Sequence, residues 1–362
     1  MGIVAICSLI CLLLTYMESK GASKNGMLYG FLLVTLLGCI HFNYGNDYVS
    51  YYHLYNQIET ISFDFKSIMN GDVYRERGWV LLCYAFKPFG GFFTLVAVLN
   101  VIQNYIIYNF IRKEVKKDWW PLSVFFYLFH SSYYLLNFSM MKQGFVICIF
   151  LGLWPLIRQK KWLISAGILF LCSFIHGSSL ILIPFAFVGF LSNINGKYYV
   201  YFFVGIILFL WSSISFIEDA FNSIFLFKEF DEYTRYQDDS SSNAFGLGFL
   251  IQLLPLLISI YYFWSNIESD KSNKVMVAIA TLTFIVTPFT TVVPAVGRIG
   301  LYFGIYNLAA WPITYSSINN KGLRIFFISL YVTIISYDYL IFFSNPVFAQ
   351  YYAEFHTIFS VH

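Results

Sequence analysis

Long uncharged apolar runs, separated by short polar or basic connections, dominate the chain. A bilayer crossing needs about 17–25 mostly apolar residues. Runs of that kind fall at about 2–17, 27–42, 91–111, 119–138, 141–157, 162–176, 177–192, 198–217, 246–266, 275–294, 298–317 and 323–342. The pattern predicts an all-α fold, a polytopic integral membrane protein with about 12 transmembrane helices. The stretch 162–192 is one uncharged run, too long for one helix and short for two, and it breaks near His176-Gly177. Another segment, Gly78-Trp79-Val80-Leu81-Leu82-Cys83-Tyr84-Ala85-Phe86, is apolar but runs into Lys87-Pro88-Phe89-Gly90-Gly91. Its proline and paired glycines predict a re-entrant or interfacial piece near 79–90 rather than a full crossing.

Charge sets the orientation. Cytoplasmic loops collect Lys and Arg. The connections carrying Lys20/Lys24, Arg112 to Lys117, Arg158 to Lys161, Lys197, Lys271/Lys274 and Lys321/Arg324 fall on one side by parity and hold 14 of the 22 basic residues. That side is read as cytoplasmic, which puts both termini and the two long loops, 43–78 and 218–245, outside. A full crossing at 79–90 would move the basic loop 112–118 to the outer side, against the charge rule. The loop 218–245 carries Glu218, Asp219, Glu229, Asp231, Glu232, Asp238 and Asp239 against Lys228 and Arg235, and reads as a solvated acidic lid.

Composition agrees with the pattern. The chain is 59% hydrophobic and 11% charged, whereas soluble domains carry about 25% charged residues. A net charge of +3, dispersed along the chain, does not suit nucleic acid. Six cysteines lie in apolar runs without a CxxC or Cys/His spacing, so they read as small buried hydrophobes. The first apolar run lacks a basic n-region and a small-residue cleavage site, and reads as a retained crossing. With no internal repeat and no soluble stretch, residues 1–362 are expected to form one membrane domain.

Lys142 changes the picture from architecture to chemistry. From Trp119 to Ile157 it is the only fully charged side chain, and an intramembrane charge marks a functional site by default. Parity places it at the outer end of a helical hairpin. On the same side fall Asp47 after the second crossing, Arg75-Glu76-Arg77 where the first outer loop returns, His176 after the sixth crossing and Arg298 at the start of the eleventh. Each has an ordinary explanation alone: a snorkelling cation, a cap, a packing histidine. Together they form a ring of acids, a histidine and cations at one depth. Such a ring suits transfer from a lipid diphosphate: Lys and Arg hold the diphosphate and stabilise the leaving charge. A carboxylate, Asp47 or Glu76, deprotonates an acceptor hydroxyl, with His176 as the alternative. No Asp-x-Asp or His-rich metal signature accompanies the ring, and no metal or cofactor is expected.

At these residues the chain resembles the EpsG family of bacterial exopolysaccharide polymerases, related in role to Wzy-type O-antigen polymerases. The matching pieces are Gly45-Asn46-Asp47-Tyr48-Val49-Ser50-Tyr51-Tyr52, Glu76-Arg77-Gly78-Trp79 and Asn137-Phe138-Ser139-Met140-Met141-Lys142-Gln143-Gly144. Two more are Phe174-Ile175-His176-Gly177-Ser178-Ser179 and Gly297-Arg298-Ile299-Gly300-Leu301-Tyr302-Phe303. The family's usual form holds Arg where this chain has Lys142, a compact point charge without the planar fork. The resemblance implies joining of lipid-linked repeat units into a surface polysaccharide (O-antigen, capsule or exopolysaccharide) at the outer face of the bacterial cytoplasmic membrane. Donor and acceptor would be undecaprenyl-diphosphate-linked oligosaccharides, with membrane lipids and a chain-length regulator as further partners. Lys142, Arg298, Arg77 and Arg75 would contact the diphosphate, Gln143 and Tyr302 other parts of the substrate, and Asp47, Glu76 and His176 would carry the chemistry. A flippase or transporter is the alternative from another class, and would need polar groups through the midplane. The middle of most crossings is nearly free of ionisable groups, with His130, read as a packing residue, the main exception, which favours chemistry at one face. A membrane glycan ligase or acyltransferase would present a similar ring.

Overall fold

A computed structural model describes residues 2–212, 247–265, 271–286 and 294–360. The described chain is helical almost throughout, as an apolar environment demands: backbone donors and acceptors without water must be paired within the segment. In order the helices are α1 (Gly2–Ser19), α2 (Gly26–Ile40), α3 (Tyr48–Thr60), α4 (Phe65–Asn70), α5 (Arg77–Phe86), α6 (Gly91–Glu114), α7 (Trp120–Phe129) and α8 (Leu136–Ser139). They continue with α9 (Met141–Gly152), α10 (Trp154–Arg158), α11 (Trp162–Ser173), a 3-10 helix over Gly177–Asn193, α12 (Gly196–Ser212), α13 (Leu247–Ser265) and α14 (Lys271–Val286). The last are α15 (Pro294–Gly304), α16 (Asn307–Ser316), α17 (Lys321–Ser344) and α18 (Pro346–Tyr352). Among the described residues, four stretches are long and apolar enough to cross a bilayer: Gly2–Ser19, Gly91–Glu114, Met141–Arg158 (α9 with α10) and Lys321–Ser344. The protein is an all-α membrane protein with one addition. A two-residue antiparallel pairing joins β1 (His41–Phe42) to β2 (His356–Thr357), with His41 opposite Thr357.

The chain forms two compact units, Met1–Phe187 with Ser329–His362, and Val188–Ile328. In the first, α2 packs between α1 and α6, and α9 lies against α6. Gly30 of α2 lets the backbones approach: a Cβ there would meet Cys11 Cα at 2.8 Å. An aromatic-rich core of Tyr48, Tyr55, Ile58, Trp79, Val80, Cys83, Phe92, Leu95, Leu99 and Met141 fastens α3 and α5 over the N-terminal half of α6. In the second unit α14 packs against α13, α15 and α16, with Thr283 Oγ1 donating to Gly300 O at 2.6 Å and Phe284 stacked on Trp311.

Several expected elements differ in detail. The run 119–138 is not one helix: α7 stops at Phe129 and the chain turns through His130–Leu135 before α8. Non-helical backbone at membrane depth is tolerated where protein surrounds it, and here it does. His130 stacks on Tyr133, Ser131 Oγ donates to Asp338 Oδ2 at 2.7 Å, and the Tyr134 hydroxyl donates to Val34 O at 2.6 Å. The run expected at 298–317 divides likewise into α15 and α16. The segment near 79–90 is a ten-residue helix, α5, followed by a 3-10 turn at Lys87–Phe89. At 1.5 Å per residue it reaches about 15 Å, half the hydrocarbon thickness. Gly90 and Gly91 follow in the left-handed region, at φ 96° and 68°, a conformation glycine adopts without cost. The expected acidic loop 218–245 lies outside the described residues.

Candidate active site

Three helix ends meet around Lys142. It occupies the first turn of α9, Glu76 is the residue preceding α5, and His176 follows the last turn of α11. A close backbone contact brings α5 and α11 together. Gly78 N–H donates to Phe174 O at 2.7 Å, and a Cβ on Gly78 would sit 2.9 Å from the Phe174 carbonyl. Only glycine fits there, and the contact fixes Glu76 beside His176, whose own N–H donates to Cys172 O at 2.9 Å.

Both oxygens of Glu76 are engaged. Oε2 accepts from Lys142 Nζ, and Oε1 is paired with His176 Nδ1 at 2.9 Å. The Lys142 ammonium also donates to the Tyr74 hydroxyl at 3.1 Å. Three rings face it, with centroids at 5.2 Å (Tyr51), 4.8 Å (Tyr74) and 5.8 Å (Trp79). Such faces are attractive to a cation, the more so when water is excluded. Water is excluded here: Lys142 is 6% exposed and Glu76 7%. Burial alone would raise the Glu76 carboxyl, but the His176 hydrogen bond and the Lys142 charge outweigh it and hold the group down at about 2. Burial raises the Tyr51 phenol, a rise that the Lys142 charge partly offsets. His176 Nε2 is buried and has no hydrogen-bond partner among the described residues.

The other expected residues are placed as follows. Asp47 precedes α3; its carboxylate accepts from Asn46 Nδ2 at 3.2 Å and its N–H donates to Ser139 Oγ at 3.4 Å. Ser139 Oγ in turn donates to Asn46 Oδ1, so the Asn46-Asp47 turn is fastened to the α8–α9 junction that carries Lys142. The turn needs Gly45, at φ 124°, where a Cβ would lie 2.5 Å from Phe138 O. Arg75 is exposed and Arg77 half-buried on either side of Glu76, and Gln143 is buried next to Lys142. Arg298 and Tyr302 lie one turn apart on α15 in the second unit, half-buried and buried respectively. Thus Lys142, Glu76 and His176 are in direct contact and Asp47 is tied to their scaffold. The aromatic enclosure of Tyr51, Tyr74 and Trp79 was absent from the sequence reading. Its signal was the density of tyrosines flanking the acids in 43–78, which composition alone could not separate from interfacial belts. Among the described residues no group of three or more His, Cys, Asp or Glu is disposed to hold a metal ion.

A family model described as the EpsG family matches residues 26–355 of the 362, and the chain belongs to that family. Membership carries a polysaccharide-polymerase role, a glycosyltransferase-like activity in exopolysaccharide biosynthesis, and with it lipid-linked oligosaccharide substrates and a membrane setting. No curated protein and no solved structure matches the chain.

Proposed function

We propose that this EpsG-family chain polymerises undecaprenyl-diphosphate-linked repeat units at the outer face of the bacterial cytoplasmic membrane. The growing glycan on its lipid diphosphate is the donor, and a new lipid-linked repeat unit is the acceptor. One observation carries the reading: a buried Lys142–Glu76–His176 constellation gathered from three helix ends in a chain of this family. Charged groups this far from water persist where they are paired and used.

Attack by an acceptor hydroxyl on the donor's anomeric carbon expels the lipid diphosphate. Arg75 and Arg77, which flank Glu76, are assigned to the diphosphate, since the guanidinium fork matches phosphate oxygens. Lys142, enclosed by Glu76 and three rings, is assigned to the charge balance of the buried group. Gln143 and Tyr302 are assigned to other substrate contacts, and Asp47 to holding the outer turn. In this reading residues 1–362 act as one polymerase domain with both termini outside, and α5 is a re-entrant helix whose N-terminal end faces the outer side. A chain-length regulator is the expected protein partner.

The experiment uses lipid-linked repeat unit extracted from cells lacking this chain, incubated with the purified protein in proteoliposomes. A ladder of lengthening lipid-linked glycan is expected. Translocation of the single repeat unit without a ladder would identify a flippase instead.

A further inference from the structure

Glycosyl transfer to a sugar hydroxyl needs a group that takes the hydroxyl proton. We infer that this group is His176 Nε2, with Glu76 and Lys142 as positioning residues behind it; the inference rests on the polymerase reading above. Glu76 is poorly suited to be the base itself. Both of its oxygens are committed, one to Lys142 and one to His176, and a carboxylate so strongly stabilised has little drive to take a proton at neutral pH. Asp47 is bound into the turn before α3 through Asn46 and Ser139.

His176 has the complementary arrangement. An ionised carboxylate only accepts hydrogen bonds, so Nδ1 carries the proton in the 2.9 Å contact, and in the neutral imidazole the lone pair is then on Nε2. That nitrogen is buried and has no partner among the described residues. Leaving a buried acceptor unmade costs about 1–3 kcal/mol, a cost that an incoming hydroxyl relieves. Gly177, the next residue along the chain, has no heavy atom of the described residues within 4 Å of where its Cβ would stand.

The step balances as follows. The acceptor O–H bond breaks, its proton passes to His176 Nε2 and its oxygen bonds to the donor's anomeric carbon. The bond from that carbon to the diphosphate breaks, and its electron pair leaves with the lipid diphosphate. A diphosphate is a stable anion and needs no acid. The Lys142–Glu76–His176 group is neutral before transfer and carries one positive charge after it, as the leaving group gains negative charge. The imidazolium then returns its proton to water. Lys142 keeps Glu76 ionised throughout, so that the imidazolium has a counter-ion at Nδ1.

The test measures the initial rate of the first joining step in proteoliposomes, with lipid-linked repeat unit from cells lacking this chain. His176→Asn retains a donor toward Glu76 but has no base, and kcat is expected to fall ~10²–10⁴-fold with KM nearly unchanged. Glu76→Gln and Lys142→Met should lower kcat, again without moving KM, and Lys142→Arg should restore most of the rate. A ladder from wild-type protein that persists in His176→Asn at more than a tenth of the rate overturns the inference alone. So does a change confined to KM, or a failure of Lys142→Arg to recover. Wild-type protein that makes no ladder overturns the polymerase reading and this inference with it.

Discussion

Lys142 stands in the first turn of α9, where the helix macrodipole is positive and repels a cation. Burial adds a second penalty, and Glu76 with three aromatic faces answers both. Removing one partner of a buried ion pair costs about 3–5 kcal/mol, because the other charge is left behind. Lys142→Met is therefore expected to destabilise the protein by that amount in detergent thermal unfolding. The double variant Lys142→Met/Glu76→Gln should recover part of the loss. Glu76 also predicts a pH window. Its carboxyl lies at about 2 in the fold against an ordinary 4.5, so its stabilisation is complete above pH 4.5 and lost as pH falls toward 2. The unfolding temperatures of wild type and Glu76→Gln should differ by a constant amount above that window and converge within it. Lys142 was conspicuous in the sequence as a lone cation in an apolar run. Its enclosure was not, because Tyr51, Tyr74 and Trp79 come from other elements and only tertiary packing brings them to one ammonium.

At the scale of elements, apolar length was a good guide to where helices lie and a poor one to where they break. The boundaries of α1, α2, α6 and α17 follow the apolar runs closely. The bend at His130–Leu135 had no proline or glycine to announce it. It depends on hydrogen bonds from Ser131 and Tyr134 to α17 and α2, which are far away in the chain. The join between α5 and α11 was equally hidden, since Gly78 looks like any helix-start glycine until Phe174 lies against it. Gly78→Ala forces the Phe174 backbone away, and overpacking of this kind costs about 1–3 kcal/mol. Thermal unfolding should show that loss. Joining activity should fall further than stability, because the shift separates Glu76 from His176.

For the whole molecule, orientation remains a matter of which face carries the basic loops. Asp72 and Lys116 are both exposed and sit in loops expected on opposite faces. With the native cysteines replaced, Asp72→Cys should react with an impermeant maleimide in spheroplasts, and Lys116→Cys only after permeabilisation; the reverse pattern would invert the topology. The site gathers residues that sequence order separates widely, so side-of-membrane parity could group them but could not say which touch. The segment Gly177–Asn193, which begins directly after His176, bears on membrane thickness. Its 17 residues are wound as a 3-10 helix. At about 2.0 Å per residue that winding covers about 34 Å, whereas α-helical winding at 1.5 Å would cover about 25 Å. Against a hydrocarbon layer of about 30 Å, the choice of winding alone decides whether 17 residues have the contour length of a crossing.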